Sequence, residues 1–403
     1  MIRLMSFMAI VLIVDIVFLG PLGVSIADIP LRRVLIALLI LSSVVSLFEQ
    51  KLAVTWPIAF FVTVGLFLIV WGGIVPQVHG VRLRMTLAEV QPFVALLLVL
   101  PFYQLFRYRG AAFFLKIIQR CVVVMAVIVI VVWAASNVFG NPSVGMAMRE
   151  FYISMNDSDL GVYIGPLADG SFRVMLINFI IFPILLCYHN WRRTDLGWSV
   201  FYALAIFATG TRSFLGVWAL IVGVSMLRKR PVLAVPIIVI VAGGAFFYIG
   251  SMQRLRVFEF SSDFQSTSAR FVQYFSLMDL FWQHPIFGSG LGANAAIIRS
   301  VDAPYSYELT YVALLAKLGV IGSGFILAAL TIWILRLMKA TPNWLSILSL
   351  VAAIFLMTST NPYLINLVGL TILAFIIALG AYTIERSRPS TGYRPLPLDG
   401  VRT

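Results

Sequence analysis

An all-α polytopic membrane protein of about twelve transmembrane helices is the fold class this sequence predicts, and three observations predict it. The first is composition: of 403 residues, 61% are hydrophobic and only 11% are charged. A soluble domain needs more charge than that on its shell, whereas lipid on the outside removes the need. The second is periodic run length. Apolar stretches of membrane-spanning size recur at roughly 5–24, 34–49, 52–75, 88–105, 112–138, 173–189, 197–211, 213–227, 231–250, 308–335, 344–360 and 364–384. The third is loop charge. "FRYRG", "NWRRTD", "RKRP", "LRLMKA" and the tail "ERSRPSTGYRP" all fall on one side when the spans are threaded in order, and the positive-inside rule makes that side the cytoplasm.

The opening "MIRLMSFMAIVLIVDIVFLG" begins like a signal peptide but lacks a small-residue cleavage site, so it reads as a retained first span. An even number of spans puts both ends inside. Residues 1–384 then form one transmembrane domain, with a cytoplasmic tail at 385–403 whose composition reads as disordered. The two long loops, about 139–172 and 251–307, fall outside. Arg32 and Arg33 also fall outside, against the rule, which makes the first two spans the weak point of the threading. The net charge of +13 is accordingly loop charge and attraction to anionic lipid, not a nucleic-acid footprint. Arginine supplies 24 of the 29 basic residues. Its planar fork suits phosphate and carboxylate, although genomic composition bias produces the same excess. Cys121 and Cys187 lie in apolar segments and offer neither a disulfide framework nor metal spacing. No internal repeat is visible.

Within the seventh and eighth runs, Arg212 is the sole charge between Asp195 and Arg228. The basic anchors on either side, Arg193 and Arg228, are only about 35 residues apart, and two full spans need about 40. The chain must therefore turn near "TGTRS" without clearing the outer surface. Gly210 and the flanking hydroxyls suit an interrupted helix, which is tolerated at that depth only where it faces protein or a water-filled cavity. A charge there is a functional-site candidate, with pairing to a buried acid such as Asp15 as the structural alternative.

The outer loop 251–307 carries its own pattern. Residues 267–283, "TSARFVQYFSLMDLFWQ", place Phe271, Tyr274, Phe275, Met278, Leu280 and Phe281 at helical spacing. The spacing predicts an amphipathic helix lying on the membrane or covering a cavity. Arg270 stands at its start, and Arg82, Arg84, Arg254, Arg256 and Arg299 lie on the same side. An arginine collection on the non-cytoplasmic face opposes the usual bias and asks for an anionic ligand, although single members can be ordinary solvated loop charges. His284, before Pro285, reads first as a helix-terminal histidine and second as a catalytic one. "FGSGLGANA" lacks a preceding strand, so Gly288, Gly290 and Gly292 predict a tight turn and not a nucleotide loop. Glu308 opens the tenth run, with Tyr311 three residues on along one face. A carboxylate at that end is either a helix cap or a general base beside an anion site. Lys317 points to the opposite side of the same helix.

Three elements, in this order and spacing, resemble the O-antigen ligase and Wzy-type polysaccharide polymerase superfamily: "TGTRSFLG" in a short broken span; Arg270 followed by a helix and "FWQHPIFGSGLG"; and a polar residue opening a span that continues "YVALLAKLGVIG". The resemblance covers roughly 197–335 by motif and the whole chain by hydropathy plan. It implies a GT-C-like fold in the bacterial inner membrane, with a periplasmic active site that transfers a glycan from undecaprenyl diphosphate. It implies Arg212 and Arg270 on the diphosphate and Glu308 as base. Arg82, Arg84, Arg254, Arg256, His284 and Tyr311 would be substrate contacts, without cofactor or metal. The implied partners are a lipid-linked oligosaccharide donor, a lipid-linked or glycan acceptor, membrane lipid, and a chain-length regulator or flippase. Ligases of the family usually open the third motif with His followed by Asn. Glu308 at that position resembles the polymerases instead, and leaves transfer to lipid A-core as the alternative. Twelve spans with both ends inside also fit a secondary transporter, but transporter sites lie near the midplane and these polar clusters are skewed outward.

Overall fold

The computed structural model describes residues 1–19, 25–26, 29–50, 56–156, 162–166, 172–176, 196–209, 218–219, 221–224, 260–298, 306–307, 309–341, 344–358 and 366–387. Arg212, Arg254, Arg256, Arg299 and Glu308 lie outside the described residues, as do the predicted span 231–250 and the tail beyond Ser387.

Helices dominate, and they start and stop close to the apolar runs. They are α1 (Ile2–Phe18), α2 (Leu31–Gln50), α3 (Trp56–Val78), α4 (Leu83–Val90), α5 (Val99–Arg109), α6 (Ala111–Asn137), α7 (Pro142–Asn156), α8 (Leu196–Ala208), α9 (Phe260–Gln283), α10 (Thr310–Ala340), α11 (Trp344–Thr358) and α12 (Leu367–Arg386). A 3₁₀ segment, Gln91–Leu98, joins α4 to α5, so that Leu83–Arg109 runs as one apolar stretch. Pro92 at its start lacks the N–H that a regular helix would use, which favours the tighter local winding. Among the described residues, six helical stretches are long and apolar enough to cross a membrane: Leu31–Glu49, Ile58–Val78, Leu83–Arg109, Ala111–Asn137, Thr310–Ala340 and Leu367–Arg386. The chain is thus a multi-pass membrane protein with six candidate spans among its described residues, and the expected runs 173–189, 213–227 and 231–250 lie largely outside them.

The core forms around α12. From Val368 to Ala381 its residues are buried on every face, as expected of a helix that is apolar all round. Phe375 meets Phe102 and Phe106 of α5 edge to face, with ring centroids 5.3 and 5.0 Å apart. A small apolar cavity of about 30 Å³ lies beside this contact, lined by Leu12, Ile16, Phe102, Ile118, Thr371 and Phe375 among others.

Two departures from the expected all-helical plan are short antiparallel strand pairs. β1 (Ser25–Ile26) pairs with β2 (Ile29–Pro30) between α1 and α2. β3 (Val162–Pro166) pairs with β4 (Phe172–Leu176), from Val162 opposite Leu176 to Pro166 opposite Phe172. β4 corrects the start of the span expected at 173–189. In "FRVML", Phe172 and Val174 are buried while Arg173 between them is half-exposed, which is the period of two of a strand. The amide of Asn137 fixes the hairpin to the end of α6, donating to Phe172 O and accepting from Phe172 N–H, both at 2.7 Å.

Ends that the threading assigns to one face do meet. Tyr152 in α7 donates to Phe18 O at the end of α1 (2.8 Å). At the opposite face, Tyr103 donates to Glu385 (2.6 Å) and Arg107 pairs with Glu385 at 3.6 Å. The misplaced charge at Arg32 is also explained. Its Nε sits 2.6 Å from Asp15 Oδ2, and both side chains are 1% exposed. Asp15, considered above as a partner for Arg212, is thus engaged by Arg32, which is an internal ion pair and not a loop charge.

Candidate functional site

The described part of the site is built where α9 and α10 meet the turn between α3 and α4. One face of α9 carries Gln273, Ser276, Leu277, Leu280 and Phe281, all buried. The apolar members form a small core with Ala295, Tyr307, Ala313 and Ala316, separate from the main one. The expectation of a single apolar face is corrected here. Of the residues that predicted it, Leu280 and Phe281 pack inward, whereas Phe271, Tyr274 and Phe275 are exposed and align with exposed Trp282. Positions 271, 275 and 282 share one side of a 3.6-residue helix, and 277, 280 and 281 share the other. Apolar spacing alone does not say which stripe packs on protein, because lipid accepts the other.

At the end of α9 the chain enters "HPIFGSGLG", and α10 breaks beside it. Gly319 has φ 64° and ψ −174°, inside an otherwise continuous helix. The break frees backbone groups that lipid cannot satisfy. The loop satisfies them: Val320 N–H donates to Pro285 O (2.9 Å) and Ile321 N–H to Ile286 O (3.2 Å). In return, Ser289 N–H donates to Ala316 O (3.0 Å) and Gly290 N–H to Lys317 O (2.9 Å). The expected tight turn therefore exists, and it also mends a broken membrane helix. Gly290 has φ +88°, and a Cβ there would lie 2.5 Å from the Pro76 nitrogen and Cγ, so only glycine lets the loop lie against α3. Trp71 of α3 donates to Phe287 O at 3.3 Å.

Beneath this loop lies a charge pair that the spacing arguments missed. Glu89 of α4, 4% exposed, accepts from Lys317 Nζ through Oε1 and from Gly292 N–H through Oε2, each at 2.5 Å. Lys317 is fully buried. The Tyr307 ring covers the ammonium, with Nζ 5.3 Å from its centroid, and Tyr307 Oη accepts from Ala295 N–H at 2.5 Å. Burial pushes the Tyr307 hydroxyl above its ordinary range, so it stays neutral. The signal for the pair was present in the sequence. Glu89 and Lys317 are lone opposite charges, each near the same end of an apolar run.

The predicted site residues divide into two groups. Arg82 immediately precedes α4 without a side-chain capping bond and Arg84 follows in its first turn, both exposed. His284 is beside them through His79, the two imidazole centroids being 3.8 Å apart. Burial first and His284 second push the His79 imidazole below its ordinary value. Arg270, half-buried, stands 14 residues before His284, about 20 Å away along α9. One turn beyond Arg270 on the same face, Gln273 accepts from Leu309 N–H at 3.4 Å. Arg270 is therefore near the segment that carries position 308, and Arg82, Arg84 and His284 are at the far end of the same helix. Tyr311 donates to Phe355 O of α11 at 2.5 Å, with its ring stacked on Phe355 at 5.8 Å. Among the described residues, no three His, Cys, Asp or Glu side chains converge as a metal set.

A helix broken inside the bundle, mended by a glycine loop and flanked by an arginine and the residues around a carboxylate, lies largely within one segment of known type. The chain matches no curated protein. Residues 197–327 match the O-antigen ligase family, whose members are membrane glycosyltransferases that work as ligases or polymerases. Over residues 197–327, this multi-pass membrane protein is thus similar to the O-antigen ligase family.

Proposed function

We propose that the protein is a polysaccharide polymerase of the outer face of the bacterial inner membrane. It moves a glycan from undecaprenyl diphosphate onto a hydroxyl of another lipid-linked repeat unit. The observation that carries this reading is that one family match, 197–327, contains Arg212, Arg270 and Glu308 together. The bond between the anomeric carbon and the diphosphate oxygen breaks as the acceptor oxygen attacks that carbon. The bonding electrons and the negative charge leave with the lipid diphosphate, so no nucleotide is consumed. Arg212 and Arg270 neutralise the oxygen on which charge grows, which forked guanidinium groups do without a metal. Glu308 takes the acceptor proton, an effect of about 10²–10⁴-fold for a well-placed general base. A single displacement inverts the anomeric centre. Arg82, Arg84 and His284, with Arg254 and Arg256, hold the outer parts of the substrates, and the exposed stripe of α9 lies in the outer leaflet. Tyr311, held by Phe355, braces the start of α10 beside the substrate.

Glu308, where the resembling ligases have His, favours the polymerase over the ligase. Purified protein in lipid vesicles, given undecaprenyl-diphosphate-linked repeats alone, is expected to produce a ladder of longer lipid-linked glycans. Transfer only when lipid A-core is added would assign it as the ligase instead. Neither product would remove glycosyl transfer from the reading.

A further inference from the structure

The segment carrying position 308 is held on both sides by groups that lie within the protein, and one of them is the buried ion pair. Tyr307, immediately before it, is 1% exposed, rests its ring on the Lys317 ammonium and takes the Ala295 N–H. Leu309, immediately after it, donates its N–H to Gln273, one turn from Arg270. Lys317 is itself fixed by Glu89, whose second oxygen holds Gly292 N–H of the loop that mends the α10 break. α4, the glycine loop, α10 and Tyr307 thus converge on one carboxylate and one ammonium. We infer that Glu89 and Lys317 are positioning residues for glycosyl transfer, setting through Tyr307 where Glu308 stands relative to Arg270. This rests on the polymerase reading for the role of Glu308, whereas the pair itself is buried, with Lys317 0% and Glu89 4% exposed.

An ion pair buried merely for stability behaves differently from one that aims a neighbouring segment. Removing one partner leaves a lone buried charge and destabilises in either case, whereas removing both relieves that penalty. Stability and position therefore separate in the double variant. Glu89→Leu, Lys317→Met and the combination are compared in full-length protein by thermal midpoint and by steady-state kinetics with lipid-linked repeats. Each single change is expected to lower the midpoint. The double is expected to regain it, yet to turn over at least ten-fold more slowly than wild type, with KM for the donor changed less than three-fold. Tyr307→Leu, which leaves the pair intact, is expected to show the same kcat loss. A double variant that regains turnover along with stability overturns the inference, and so does normal kcat in Tyr307→Leu. If the double does not regain its midpoint, Tyr307→Leu alone decides. Wild-type protein that elongates nothing counts instead against the polymerase reading, a result distinct from all of these.

Discussion

Single charges decide most of what this chain does, because lipid makes each of them costly. Arg32 and Asp15 pay no loop role at all: at 2.6 Å and 1% exposure they form an internal clasp between α1 and α2. Breaking a buried pair leaves an uncompensated charge, so Arg32→Met is expected to lower unfolding free energy in detergent by about 3–5 kcal/mol. An unchanged midpoint would mean that water reaches Asp15. At the reacting centre, Glu308→Gln and Arg212→Ala are each expected to cut turnover by at least about 100-fold while the protein still folds, read from the rate of glycan elongation. Normal elongation in Glu308→Gln would remove the base from the scheme. Arg270 and Glu308 were legible as candidates because each breaks an apolar or amphipathic pattern. Glu89 was overlooked because it stands near the end of its run, where a carboxylate resembles an ordinary boundary charge. Its partner Lys317 is 228 residues away, and sequence distance hides the pairing.

At the level of elements, the break in α10 and the loop that mends it form one device. Gly290→Ala would drive a methyl group into Pro76, and Pro76 is backbone-constrained and cannot give way. A loss of about 1–3 kcal/mol is expected, with faster proteolysis around 284–298 as the direct reading. Burial of His79, with its contact to His284 second, gives a pH dependence whose sign follows from the lowered value. A histidine whose folded value is depressed is neutral in the folded protein, and the unfolded chain takes the proton first as pH falls. Stability from His79 is therefore full above about pH 6.5 and declines below it. Thermal midpoints between pH 8 and pH 5 should fall less steeply in His79→Gln than in wild type; identical slopes would exclude His79 as the cause. The glycine turn was legible from its composition, but its purpose was not. A loop that donates to and accepts from a distant broken helix leaves no local periodicity to read. The two apolar stripes of α9 were visible, but which one faces protein depends on α10, which the α9 sequence does not contain.

For the whole molecule, the hydropathy plan placed the described helices well, with α2, α3, α6, α10 and α12 each standing on an expected run. α1, α8 and α11 also stand on the expected runs 5–24, 197–211 and 344–360, with 17, 13 and 15 described helical residues. Hairpin β3–β4 was missed because its five-residue strands lie beside an apolar run, and hydropathy averages over their alternation. Orientation can be read directly. A single cysteine at Arg84, in protein lacking Cys121 and Cys187, is expected to react with an impermeant maleimide from the periplasmic side, and one at Arg109 only after the cytoplasmic side is opened. The reverse pattern would turn the molecule over and put the site in the wrong compartment. The most direct test of the central claim is product analysis with purified protein and undecaprenyl-diphosphate-linked repeats as the sole substrate, with chelator present. The account predicts a glycan ladder, one undecaprenyl diphosphate released per linkage, and inversion at each new anomeric centre. Release without elongation, retention of configuration, or dependence on a divalent ion would contradict it.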